Sequence, residues 1–158
     1  MRSGKAGALK PKYRNRGVEI AKMLWPQLEL EPEGSFWDKY GIDAHLDGQT
    51  VQIKYDWRIA ISGNIYHEFY EKSAYHSEQP WRKSPGNADQ YIFTTETNLE
   101  LIGYLITVDT LAQAETGKRL VSISPNNGQV TSIGILLPLS SLNTQMNSKR
   151  KGASHDKA

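Results

Sequence analysis

The sequence predicts a mixed α/β fold with a largely antiparallel start. Three observations carry that reading. An apolar stripe at helical spacing, Val18, Ala21, Leu24 and Trp25, runs up to Pro26. Two alternating runs then flank Asp47 and Gly48, a dipeptide that favours a tight hairpin turn. Further short β-prone runs follow, separated by breaks containing glycine or proline.

Each element has its own local signal. The apolar stripe predicts a helix over residues 13–25, and Pro26 ends it. Glu19 sits one step off the stripe, so it can border the core or face a cleft. Residues 29–37 read as irregular because Pro32 and Gly34 interrupt them. In the hairpin, Ile42, Ala44 and Leu46 alternate with Asp43, His45 and Asp47. After the turn, Val51, Ile53 and Tyr55 alternate with Gln52, Lys54 and Asp56. A third strand is expected over residues 64–71, neighbouring the hairpin. Residues 72–88 read as a long polar loop, a feature that in compact domains often serves function. Strands are expected at 89–95 and 101–107. Asp109 is placed to cap a short helix ending near Gly117. Strands at 120–124 and 133–137 flank the turn at Pro125 to Gly128, and residues 138–142 start a last helical turn.

A chain of 158 residues suits one domain, expected over 12–142, between a disordered basic arm at 1–11 and a disordered polar tail at 143–158. The absence of cysteine excludes disulfides, thiol nucleophiles and cysteine-ligated metals. The longest apolar run, residues 133–139, is too short for a membrane span, and the N-terminus lacks the apolar core of a secretory signal. A soluble cytoplasmic protein is the expectation. The formal charge of +2 hides an asymmetry: residues 1–16 carry +6 and residues 143–158 carry +3, which leaves −7 on the body. Basic ends on an acidic body suit a polyanion such as nucleic acid, and they equally suit plain solubility.

The hairpin is the most informative segment. A two-residue turn at Asp47 and Gly48 pairs Leu46 with Gln49, His45 with Thr50, Ala44 with Val51 and Asp43 with Gln52. Asp43 and Gln52 then share a face, about 5 Å apart at Cβ, with Lys54 two residues further along. A carboxylate and an amide oxygen can hold Mg²⁺ together with the backbone carbonyl of Ile53 between Gln52 and Lys54. A metal so held polarises a phosphate and lowers the pKa of bound water, while a lysine offsets charge at the transition state. An Asp–Lys pair on a hairpin also occurs with no function at all.

Gly41, Ile42 and Asp43, then a turn, then Gln52, Ile53 and Lys54 resemble the PD-(D/E)XK nuclease superfamily, in particular phage-type, restriction-type and junction-resolving members. The segments from Gly63 to Glu68 and from Ala88 to Phe93, with Trp81 between, are similar to the downstream part of such nucleases. The resemblance implies a restriction-endonuclease-like core, a central mixed β-sheet flanked by helices. It also implies Mg²⁺- or Mn²⁺-dependent hydrolysis of phosphodiester bonds in nucleic acid, DNA in preference to RNA. Asp43 would be the central metal ligand, Gln52 would hold the second acidic position, Ile53 would offer its carbonyl and Lys54 would be the catalytic lysine. Glu19 would be an outer or second-metal ligand. Action as a homodimer on two strands, and a phage or mobile-element origin, belong to the same implication. The departure is Gln52, where the pattern prefers an acid. A neutral amide still ligates through oxygen, with less charge to hold the ion. The alternative is therefore a catalytically weak or silent protein of the same fold, acting as a nucleic-acid-binding or assembly module.

Other residues carry less. His45, His67, His76 and His155 show no metal spacing and read as surface or hydrogen-bonded histidines. Asp56 reads as a strand-end residue, and Glu68 either as a site residue or as half of a cross-strand pair. Tyr75, His76, Trp81, Arg82 and Lys83 mix aromatic and cationic groups in a loop that could grip a nucleic acid and could equally fold back and pack through Trp81. No serine-hydrolase elbow, phosphate-binding loop or dinucleotide fingerprint occurs.

Overall fold

The structure is a computed structural model that describes residues 12–73, 82–83, 86–123, 130–142 and 145–153. The basic arm at 1–11, most of the 72–88 loop including Tyr75, His76 and Trp81, and residues 154–158 lie outside the described residues. A mixed six-stranded sheet forms the centre of an α/β fold. Helix α1 (Lys12–Leu24) covers one face. A second, antiparallel four-stranded sheet and a short helix cover the other.

Strands β1 (Glu29–Leu30), β2 (Ala44–Leu46) and β3 (Gln49–Tyr55) form one antiparallel edge of the central sheet. β6 (Gln90–Glu96) runs parallel to β3, β7 (Glu100–Thr107) antiparallel to β6, and β10 (Asn147–Gly152) antiparallel to β7. The crossover between the parallel strands carries helix α3 (Ile59–Ser62), β4 (Asn64–Ser73) and β5 (Arg82–Lys83). These leave the central sheet and join β9 (Val130–Pro138) and β8 (Val121–Ile123) in the order β5-β4-β9-β8. Helix α2 (Phe36–Lys39) precedes β2, and α4 (Val108–Glu115) follows β7. A 3₁₀ turn at Leu139–Leu142 matches the expected final helical turn.

The hairpin turn follows from local chemistry. Asp47 and Gly48 both have positive φ, 51° and 82°, as a type I′ turn requires. The register is the expected one, with Ala44 opposite Val51, His45 opposite Thr50 and Leu46 opposite Gln49. Alternation then sorts the strand between two cores. Val51 and Ile53 face α1, where they pack with Ile20, Ala21, Leu24 and Trp25. Tyr91 and Phe93 of β6, which pair with Gln52 and Lys54, face the second sheet and pack with Ile65, Ile135 and Leu137. Among the described residues no helix is long and apolar enough to cross a membrane.

Four expectations change. The strand after the hairpin does not neighbour it: β4 pairs with β9 and β5, because Ile65 and His67 bury against the face of β6 instead of extending its edge. Residues 29–37 contain a short strand and lead into α2, which Ser35 caps by accepting a hydrogen bond from the Asp38 N–H at 3.2 Å. Thr107, not Asp109, caps α4, accepting from the Thr110 N–H at 3.1 Å. Part of the polar tail is a strand. β10 satisfies the open edge of β7 through its backbone, and its Lys149 ammonium lies 5.3 Å from the centre of the Trp25 ring. Charge outside and pairing inside is how an edge strand stays soluble, so polarity alone did not exclude a strand here.

Candidate active site

The hairpin ladder stops at the Ala44–Val51 pair, and Asp43 continues it by other means. Its N–H donates to the Val51 carbonyl at 2.9 Å, and its own carbonyl accepts from the Glu31 N–H at 2.9 Å. Its carboxylate Oδ2 accepts from the Ile53 N–H at 2.7 Å, replacing the missing strand partner. The outer pair expected from the turn, Asp43 with Gln52, is therefore not a ladder rung. Ile42 donates its N–H to the Trp37 carbonyl at 2.8 Å. The chain bends at Gly41, whose φ of 91° turns it from α2 into β2. Because the N–H and C=O of one strand residue point to the same edge, the Ile53 carbonyl also faces the Asp43 side. Lys54 shows the complementary direction, its carbonyl accepting from Thr94 Oγ1 on β6 at 2.8 Å.

Gln52 lies on the face of β3 away from α1, paired with Tyr91 of β6, and is only 7 % exposed. Its Oε1 is buried with no hydrogen-bond partner. Such an oxygen forfeits its hydration without compensation, at a cost of about 1–3 kcal/mol, and native proteins rarely keep one without a reason. Lys54, on the same face, is half-buried, and among the described residues its ammonium has no hydrogen-bond or ion-pair partner. On β3, Gln52 and Lys54 thus share the face away from α1 and flank Ile53, whose N–H holds the Asp43 carboxylate.

Glu19 stands apart from that group. It belongs to α1, the helix packed on the opposite face of β3, and is exposed. Its carboxylate accepts from Arg16 Nη1 at 2.9 Å. Arg16 also binds Glu96 through Nε and Nη2 at 3.0 and 2.7 Å, and Glu96 accepts from the Tyr55 hydroxyl at 3.0 Å. Arg16 holds the Glu96 carboxyl below its ordinary range, with Tyr55 assisting against burial, and the same pairing raises the Arg16 guanidinium. This network pins the N-terminal part of α1 over the ends of β3 and β6, a role the sequence offered no means to read.

The other candidates have structural partners. His67 Nδ1 is hydrogen-bonded to Glu115, and the ring packs edge-on against Phe69 and Tyr91. Glu68 points to the other face of β4 and accepts from Ser132 on β9 at 2.6 Å, a cross-strand pair. His45 Nδ1 lies 2.9 Å from Glu31. Asp56 caps the following turn, accepting from the Arg58 N–H and Nε at 2.9 and 3.0 Å. Among the described residues no group of three or more His, Cys, Asp or Glu side chains is spaced to hold a metal ion. Any metal here would rest on one carboxylate and neutral oxygens. Asp43, Gln52 and Ile53 fit that need as hard oxygen donors, and the partnerless Gln52 Oε1 supplies what such an ion seeks. No protein-family model, curated protein or solved structure matches the chain.

Proposed function

We propose that the chain is a metal-dependent nuclease with a restriction-endonuclease-like core of the PD-(D/E)XK kind, cleaving phosphodiester bonds in nucleic acid, DNA in preference to RNA. The observation that carries this reading is the buried Gln52 Oε1, which has no hydrogen-bond partner, next in sequence to Ile53, whose N–H holds the Asp43 carboxylate, with Lys54 on the same strand face. Asp43, Gln52 and the Ile53 carbonyl would hold Mg²⁺ or Mn²⁺. The bound ion would polarise the scissile phosphate and make its water acidic. Lys54 would orient that water and offset negative charge on the phosphate. The Ile53 N–H keeps the Asp43 carboxylate aimed by using one of its oxygens, at 2.7 Å. Glu19 would reach an outer or second-metal role only by exchanging its Arg16 partner. The basic arm and the 72–88 loop would help hold the strand, and pairing into a homodimer would allow two cuts.

The test is cleavage of plasmid, branched and single-stranded substrates with Mg²⁺, Mn²⁺ or EDTA. Cutting with metal should fall roughly 100- to 1,000-fold in Lys54→Ala, and Asp43→Asn should abolish it while leaving an oxygen for the Ile53 N–H. Cutting that survives both substitutions would sink the site. The second reading is a silent nuclease fold that only binds nucleic acid. It is favoured by the presence of a single carboxylate among the proposed ligands. Binding without cutting under every metal condition would select it.

A further inference from the structure

A pocket of about 490 Å³ opens where the β3 strand leaves the candidate active site. It lies between α3 and the outer face of the second sheet. Tyr66 and Leu136, paired across β4 and β9, point away from the core side of Ile65 and Leu137 and form its floor. Its walls are Trp57, Ile61 and Ile123. The volume falls within the range of small-molecule sites, about 300–1,000 Å³. Three of the apolar residues are unusually open for their size: Trp57 is 51 %, Ile61 77 % and Leu136 40 % exposed. The chain therefore maintains an aromatic and aliphatic surface in water, and it does so immediately downstream of Lys54.

The polar groups at the rim are as informative as the walls. Arg58 is the cation of the pocket, and its side chain remains 43 % exposed while Nε holds Asp56. That bond neutralises the pocket's carboxylate, so the rim does not repel a phosphodiester. The Tyr66 hydroxyl is fixed by Ser132 Oγ at 2.7 Å, which is fixed in turn by Glu68. Burial raises the pKa of this phenol above its ordinary value. A flat aromatic face, a guanidinium and a positioned hydroxyl around an apolar cleft are the groups that recognise a nucleobase: a surface to stack on, a cation for π-face or phosphate, and a hydrogen bond to an edge. Lys54 and Trp57 are three residues apart, at most about 10 Å of extended chain. A phosphate at Lys54 and a base at Trp57 can thus belong to the same or adjoining nucleotides.

We propose that this pocket takes one unstacked nucleobase next to the scissile phosphate, so that the substrate class is nucleic acid with unpaired nucleotides (single strands, flaps or distorted junctions) in preference to intact duplex. The inference rests on the nuclease reading for the position of the phosphate, while the pocket itself is defined by the fold. A base in a continuous duplex is stacked on both faces and cannot enter without first being unpaired and extruded, which costs a few kcal/mol.

Binding in EDTA separates this proposal from catalysis. Fluorescence anisotropy of a labelled oligothymidine and of a blunt duplex of equal length should show the single strand bound more tightly at the same salt. Tryptophan emission should be quenched on binding, and Trp57→Phe should remove part of that quenching while keeping most of the affinity. Trp57→Ala should weaken single-strand binding roughly 5- to 150-fold, the worth of one base–aromatic stack, and leave duplex binding unchanged. Equal single-strand affinity in Trp57→Ala and the parent overturns the pocket. If Lys54→Ala still abolishes cutting in that event, the nuclease reading survives alone. Base-dependent binding through Trp57 with no cutting under any metal overturns the nuclease reading and leaves the pocket. A parent dimer that becomes monomeric in Trp57→Ala overturns the proposal, because the patch would then be covered by a second copy.

Discussion

Replacing Gln52 by Met tests whether the buried amide oxygen is kept for a ligand. The two side chains are similar in length and volume, so the change removes polarity with little change in packing. Gln52 is 7 % exposed, and its Oε1 has no partner. Leaving such a group unsatisfied costs about 1–3 kcal/mol. In EDTA the variant should therefore be more stable than the parent by a similar amount. For a chain of this size each kcal/mol moves the melting temperature by about 2–4 °C, which gives a rise of about 2–12 °C. The metal response should move the opposite way. An ion at ten times its Kd stabilises the folded parent by about 1.4 kcal/mol, or about 3–6 °C, and the variant should lose most of that increment. Differential scanning fluorimetry with EDTA, then with a Mg²⁺ or Mn²⁺ series, reads both effects in one plate. A lower melting temperature in EDTA would mean that the amide is satisfied. An undiminished metal shift would mean that Gln52 is not a ligand. Either result refutes the reasoning, and the combination of higher stability with lost metal response has no other simple source.

Three further outcomes follow from the same structure. Gln52→Glu should bind Mg²⁺ more tightly than the parent by titration calorimetry, because a carboxylate adds charge to an otherwise neutral oxygen ligand; unchanged metal affinity would argue against ligation at position 52. Glu96 should govern part of the acid stability: its pKa is lowered by Arg16, so its contribution is complete above the ordinary carboxylate value of about 4.3 and is lost as pH falls through the lower folded value. Glu96→Gln should then be less stable at neutral pH and lose less on acidification, and melting curves that run parallel for both proteins from pH 6 to 3 would count against the pairing. Gly134→Ala should destabilise the second sheet, since a Cβ there would sit 2.2 Å from the His67 carbonyl oxygen and 2.9 Å from the Glu68 Cα, backbone atoms that no rotamer change can move; a cost of about 3 kcal/mol or more, seen as a melting temperature lowered by at least about 6 °C, is the expectation, and a neutral effect would show that β4 and β9 are not this close.

The hairpin shows how far local information reaches. Asp47 and Gly48 set the turn by their tolerance of positive φ, and strict alternation of apolar and polar residues sets which face each side chain takes. Both are short-range properties, so the sequence alone determined the register from Leu46 to Ala44 and placed Gln52 and Lys54 on a common face. The helix ahead of Pro26, the strands at β6 and β7 and the helix after Thr107 were legible for the same reason. What the tertiary structure decided depends on partners far away in the chain. Asp43 ends as an acceptor for the Ile53 N–H because Glu31 takes its carbonyl and the ladder stops one residue early. Glu19 ends beside Arg16 because Glu96, at the far end of β6, holds that arginine over the sheet. β4 leaves the hairpin for a second sheet because its apolar face is better buried against Tyr91 and Phe93 than left at an edge. The burial of Gln52 without a partner belongs to the same class. Only when the distant segments have folded around it does an ordinary polar position on a hairpin become a buried oxygen without a partner.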